Sequence, residues 1–206
     1  MSDAAIAKRE QIVAAALGVF GRYGYRRTSM DLIAQAARMS RPAVYQHFKG
    51  KEEVFRAVGR RIVDDVVEAA EKARHSDRAV AQRLYDVLSV KLDLFSGTVE
   101  AEFRAELFTE ASVVAEDVLL SFEERYAEVV QGVLTDSADE LDRLGEALSA
   151  HDAALILLDA LAGISQARQE QDVLRARLRQ MVELTVRGLT RDPTRRAGPA
   201  TREPQE

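Results

Sequence analysis

Apolar residues recur every three or four positions along most of the 206-residue chain, and short polar breaks divide the pattern into helical lengths. The first stretch, about 4–23, places Ile12, Ala16, Val19 and Phe20 on one face and stops at Gly24. Two short segments follow between residues 28 and 48. A long helix is predicted from Lys51 to about Ala73, with Val54, Val58, Ile62 and Val66 as its stripe, and another over about 77–95 before Ser96-Gly97. Further helices are predicted over about 100–111, 114–134, 148–169 and 172–189, with 135–142 as a polar loop. Val118, Phe122, Tyr126, Val129 and Val130 stay in register along the second of these. No alternating β-branched run interrupts the series, and no proline occurs between Pro42 and Pro193. The pattern predicts an all-α protein of about nine helices.

The two short segments, in TSMDLIAQAARMSRPAVYQHF, have the layout of a helix–turn–helix. Ser29 stands where an N-cap belongs, and Leu32, Ile33 and Ala36 follow as the expected apolar face. The run breaks at Arg38-Met39, and Ser40 then caps a helix about two turns long with Pro42 just inside its start, where a missing N–H costs nothing. Met39, Val44 and Phe48 are expected to close the small core. Arg41, Ala43, Tyr45, Gln46 and His47 are left on the outside. A helix so short and so polar is presented to something, and a DNA groove is the natural recipient. Arg41 and Gln46 are the side chains suited to base edges. Thr28, Tyr45, His47 and Lys51 suit phosphate oxygens, and Ser29 and Ala43 complete the predicted DNA-facing set.

Charge agrees with this division. The whole chain carries a net −5, but residues 1–50 hold eight Lys/Arg against three Asp/Glu, whereas 51–206 hold 21 against 31. A basic head on an acidic body is the distribution expected of a nucleic-acid binder, and the body's charge steers the head toward phosphates. The expected organisation is a DNA-binding domain over 1–50, a helical ligand-binding and dimerisation domain over 51–190, and a Pro/Arg/Gly-rich disordered tail over 191–206.

The order IVAAALGVFGRYGYRRTSMDLIAQAARMSRPAVYQHFKGKEEVF resembles the N-terminal domain of the tetracycline-repressor (TetR) family of bacterial transcription regulators, over roughly residues 8 to 56. The shared features are an Ala-rich helix ending in F-x-x-x-G, then T-S, I-A and a Y-x-x-F-x-x-K-E tail. The resemblance implies that Tyr45 and Lys51 touch the DNA backbone, that the protein dimerises through its last two helices, and that an inducer cavity lies among its central helices. Two positions depart from the family pattern. Arg38 occupies the turn position where Gly is usual, and a left-handed backbone there would cost a non-glycine residue about 1 kcal/mol. Ala43 stands where a small hydroxyl residue is common, removing one phosphate hydrogen bond.

The segment AALILLDALAGI, in the penultimate helix, is apolar almost all round and must be covered on every side. Either it is the central helix of the protomer, or a second copy covers it. The second reading is favoured, with Leu155, Leu158 and Ala162 on that helix and Leu178, Val182 and Leu189 on the last one as the interface; Ala160, Ala162 and Gly163 would permit close approach. Asp159 within this run could orient a ligand, fix dimer register, or pair with an arginine of the last helix, the reading preferred here. Tyr85, Phe95, Phe103, Phe108, Phe122 and Tyr126 are either core or the lining of a ligand pocket. Glu102, Glu106 and Glu110, at i, i+4 spacing, read as a solvated stripe, with a cationic ligand as the alternative.

The absence of cysteine excludes disulfides, thiolate metal sites and thiol nucleophiles. There is no phosphate-cradling Gly-rich loop, no G-x-S-x-G and no E-x-x-H pair for a di-iron site, so neither an enzyme, a metal nor a cofactor is expected. The three histidines fall in separate elements. No apolar run is long enough to cross a bilayer and no leader is evident, which predicts a cytoplasmic protein with no membrane partner. The expected function is a homodimeric transcription regulator, most simply a repressor released from a pseudo-palindromic double-stranded operator by an unidentified small-molecule inducer. The alternatives are a helical protein–protein adaptor, which leaves the basic two-turn helix unexplained, or a DNA-binding regulator without a small-molecule ligand.

Overall fold

The backbone turns sharply where Gly24 takes φ +73°, a left-handed conformation that ends the regular part of the first helix, α1 (Asp3–Arg27). The computed structural model describes residues 2–97, 101–145, 148–167 and 169–190, the side chains of 95–97, 101–105 and 108 excepted. Beyond α1 it contains α2 (Met30–Ala36), α3 (Arg41–Tyr45), α4 (Lys51–Arg74), α5 (Val80–Gly97), α6 (Ala101–Val114), α7 (Glu116–Asp136), α8 (Ala150–Ser165) and α9 (Gln171–Leu189), with no strand among the described residues. The tail expected over 191–206 lies outside the described residues.

Capping chemistry sets the short helices. The Ser29 hydroxyl accepts from the Leu32 N–H at 3.2 Å, and Ser40 does the same for Ala43 at 3.3 Å. Between them Arg38 adopts φ +55°. The Met39 N–H then reaches back to the Ala34 carbonyl at 2.9 Å, and the Arg38 N–H to Gln35 at 3.1 Å. That pair of bonds is a Schellman ending, which requires a left-handed residue just past the helix and here has arginine in it. On α2 the buried positions are Met30, Ile33 and Ala34, joined by Ala37 just past its end, whereas Ala36 faces out and Leu32 is only half-buried, so the apolar face is rotated from the expected one.

Two cores form. Ile12, Ala16 and Phe20 of α1 meet Ile33, Val44 and Phe48 in the head, joined by Val54, Phe55 and Val58 of α4. The body core holds Val63 and Ala70 of α4 with Leu84, Leu88, Phe122, Tyr126, Val130, Leu157 and Leu178. One helix therefore serves both cores. The first two turns of α4, placed with the body in the sequence reading, pack in the head.

The residues expected at an interface on α8 and α9 divide into an inward and an outward set. Leu158, Leu178, Val182 and Leu189 are buried within the protomer itself, where they hold these helices to their own body. The large apolar side chains left exposed on these helices are Leu155 and Ile156 (56% exposed), with Val173 and Leu184 (71%) on α9; Ala162 and Gly163 are exposed on α8 as well. α8 is thus apolar almost all round from Ala153 to Ile164 but covered by its own protomer on one side only. Asp159 lies exposed and forms no ion pair with an α9 arginine among the described residues.

The left-handed arginine generates a stability prediction. Arg38→Gly should raise the free energy of unfolding by about 1 kcal/mol, since glycine adopts this conformation without the Cβ clash. Urea denaturation followed by circular dichroism measures it, and an unchanged or lower midpoint would count against the strain.

Candidate nucleic-acid interface

Val44 is fully buried and fixes which side of α3 points outward. Arg41, Tyr45 (42% exposed) and Gln46 face solvent, while Ala43 and His47 are half-buried. The Arg41 guanidinium stands 5.6 Å from the Tyr45 ring centroid and 3.2 Å from a carboxylate oxygen of Asp31, at the start of α2. Tyr45 first and Asp31 next push the guanidinium pKa further up, so Arg41 is a permanent cation. The His47 carbonyl accepts from Arg9 at 2.8 Å, and that guanidinium packs 4.0 Å from the centre of the Phe48 ring. Gln11 of α1 donates to the Ala37 carbonyl at 2.8 Å. Arg9 and Gln11 thus brace the helix–turn–helix from α1. Neither carried a sequence signal, because both look like ordinary polar positions of an amphipathic helix.

Two residues expected at phosphates are engaged elsewhere. Thr28 is only 3% exposed and its hydroxyl donates to the Gly24 carbonyl at 2.6 Å, so it secures the turn out of α1. The Lys51 ammonium donates to the Tyr25 carbonyl at 2.9 Å, with the Arg26 carbonyl at 3.5 Å and the Tyr25 ring centroid at 4.3 Å. Ser29 is exposed, with its hydroxyl already accepting the α2 cap bond.

A cavity of about 450 Å³ opens where head and body meet. Its walls are apolar, built from Phe20 of α1, Phe55 and Ile62 of α4, Leu107 of α6, and Val118 and Phe122 of α7. Among the described residues the one charged lining residue, Glu123, is paired with Lys91, whose ammonium lies 5.0 Å from the Phe122 ring centroid. Of the aromatics expected to line a pocket, Phe122 does so. Tyr126 is instead core: it is fully buried and its hydroxyl donates to the Val87 carbonyl at 2.6 Å. Burial drives its pKa far above the ordinary phenol value, keeping it protonated as that donor. Tyr85 sits on the α5–α9 side under Arg179, 4.0 Å from its ring centroid, and does not line this cavity. The side chains of Phe95, Phe103 and Phe108 lie outside the described residues.

The carboxylate stripe of α6 is neither merely solvated nor turned to a ligand. Glu106 accepts from the Arg26 backbone N–H at 3.0 Å, and Glu110 accepts from the Arg26 side chain at 2.8 Å. α6, which also lines the cavity, is therefore bonded to the segment that leads into the helix–turn–helix. The Glu102 side chain is outside the described residues. No group of three or more His, Asp or Glu side chains among the described residues could hold a metal ion, and no helix there is long and apolar enough to cross a membrane.

Residues 12–58 match the model for bacterial regulatory proteins of the tetR family. The chain is 30% identical over 158 residues to the HTH-type transcriptional activator FasR of Mycolicibacterium smegmatis, covering 75% of this chain and 68% of the relative. It is 28% identical over 124 residues to the HTH-type transcriptional repressor AcnR of Corynebacterium efficiens, covering 56% of this chain and 64% of that one. Among solved structures, the complex of SmeT with triclosan superposes with a TM-score of 0.61 at 24% identity, over 97% of this chain and 99% of SmeT, the repressor of the Stenotrophomonas maltophilia multidrug efflux pump SmeDEF. The match to the family model coincides with the capped helices and the exposed α3, and the similarity to FasR extends well into the body. The chain belongs to the TetR family of bacterial DNA-binding transcription regulators.

Proposed function

We propose that this regulator acts as a homodimeric repressor that covers a pseudo-palindromic operator and releases it when a small apolar molecule occupies the cavity between head and body. The observation that carries the DNA half is α3 itself: Val44 anchors it while Arg41, Tyr45 and Gln46 stand free of the core. In the proposed complex Arg41 and Gln46 address base edges, and Tyr45 and His47 address phosphates. Ser29 flanks them, and Ala43 allows close approach without a hydroxyl of its own. Thr28 and Lys51 position the contact surface through Gly24, Tyr25 and Arg26.

The dimer half rests on the exposed apolar side chains of α8 and α9. Burying the part of Leu155, Ile156 and Leu184 still exposed would contribute roughly 1–2 kcal/mol each, a fraction of the value for a fully exposed side chain. The ligand half rests on the cavity. Its apolar lining and its neutralised Glu123–Lys91 pair favour an uncharged, mostly apolar ligand over a free cation or anion. Names among the relatives divide between activation and repression. Phe20 and Phe55 belong to the head core yet line the cavity, so an occupant acts directly on the DNA-binding element, and repression with release is the simplest use of that coupling. Such a ligand releases DNA only to the extent that it binds the non-operator conformation more tightly.

Two outcomes test this reading. Against duplexes recovered from a randomised DNA pool, Arg41→Ala should lose about 1–3 kcal/mol at one base position and relax selectivity there, whereas Tyr45→Phe should weaken all duplexes alike. Equal, sequence-independent losses from both would remove Arg41 from base reading. For the cavity, the neutral fluorophore N-phenyl-1-naphthylamine should brighten with the wild-type protein and not with Ala111→Phe, which fills the space lined by α6. Saturating probe should weaken DNA binding by roughly 5- to 150-fold, and DNA should weaken probe binding by the same factor. Unchanged probe binding by the variant would locate the ligand elsewhere.

A further inference from the structure

Between Thr28 and Phe48 the sequence has one carboxylate, Asp31. It sits in the first turn of α2, is exposed, and accepts from Arg41 at 3.2 Å, from a helix that the family's function turns toward DNA. A negative charge on this surface repels phosphates, and an ion pair with both partners more than half exposed contributes little to stability. The first turn of α2 favours a carboxylate by only about 0.3–1 kcal/mol, and neither that nor raw DNA affinity explains its pairing with Arg41. Geometry does. Asp31 takes a terminal N–H of the guanidinium, while the Tyr45 ring lies 5.6 Å away on α3. A guanidinium offers five N–H donors in a rigid plane, so a carboxylate on one of them biases where the remainder point. With Asp31 occupying one position, the cation is also partly neutralised toward any passing phosphate.

We propose that Asp31 is a specificity-determining residue that orients Arg41 toward a base edge and withholds it from the DNA backbone. This rests on the proposed base reading by Arg41 and adds a second residue to it. Selectivity then has a repulsive element as well as an attractive one: a phosphate must displace Asp31 to engage Arg41, whereas a correctly placed base accepts the donors that Asp31 leaves free.

The test uses the full chain, a duplex selected by it from a randomised pool, and a scrambled duplex of the same length, with binding measured over a salt series. Asp31→Asn should bind the scrambled duplex more tightly, with a salt slope steeper by about 0.9 for each Arg41 newly placed on a phosphate. The ratio of scrambled to selected dissociation constants should fall at least about 5-fold, the lower end of what one bidentate base contact supplies. Asp31→Glu, which keeps the charge but moves the carboxylate, should lower the ratio without steepening the slope. In an Arg41→Ala background, Asp31→Asn should no longer change the ratio. Equal tightening on both duplexes would reduce Asp31 to a mere charge, and equal weakening with a lowered melting temperature would reduce it to a helix-start residue of α2. A ratio that still falls in the Arg41→Ala background would make Asp31 a direct base contact; each of these overturns the proposal. If Arg41→Ala alone weakens both duplexes equally, base reading by Arg41 fails; if it lowers the ratio and Asp31→Asn does not, only the role of Asp31 fails.

Discussion

Everything in this molecule hangs on α4 belonging to two cores at once. Its 24 residues span about 36 Å at 1.5 Å per residue. Val54, Phe55 and Val58 complete the head, while Val63 and Ala70 are sealed into the body. Side chains fasten it along its length: Arg56 meets the Val114 carbonyl at 3.2 Å and Asp117 at 2.7 Å, and Arg74 meets Asp136 at 2.8 Å. The head cannot turn relative to the body unless α4 moves or one of these packings opens. Close-packed cores respond to such demands by switching between arrangements rather than by bending smoothly, which is the property a regulator needs.

The cavity lies against this shared helix, and its other walls are joined to the head by a second route. Glu106 and Glu110 hold Arg26, Lys51 holds the carbonyls of Tyr25 and Arg26, and the Tyr25 ring stacks near Phe20 and packs edge-on against Phe55. A molecule that separates α6 from α1 therefore pulls on the turn at Gly24 and Thr28, from which the helix–turn–helix is hung. Coupling of this kind is reciprocal, and its size is set by the difference in contacts between the two arrangements rather than by the tightness of binding.

The sequence is most legible where structure is decided locally. Ser29, Ser40, Pro42, Gly24 and the awkward position of Arg38 are backbone matters within a few residues, and all act as their neighbours dictate. Periodicity also gives the helices, but it does not say which neighbour covers each face. Leu158, Leu178, Val182 and Leu189 satisfy the apolar pattern of an interface as well as that of a core, and only packing against α5 and α7 separates the two. The walls of the cavity are hard to read from the sequence for the same reason. Attention to aromatic residues of the central helices finds Phe122 but also Tyr126, which is spent on the Val87 carbonyl, and it omits Phe20 and Phe55 because they belong to the head. Thr28 and Lys51 have side chains that suit phosphate, yet each has a backbone carbonyl within reach that sequence spacing does not reveal.

Because α4 ties the head to the body, the proposed dimer presents its two copies of α3 at one separation in the DNA-bound arrangement. Hydroxyl-radical footprinting on duplexes selected from a randomised pool tests this most directly. The account predicts two protected segments on one face of the DNA, their centres about one helical turn apart, roughly 34–36 Å, or a whole multiple of it, and the same in every selected duplex. A single protected segment, or a spacing that varies from duplex to duplex, would contradict it.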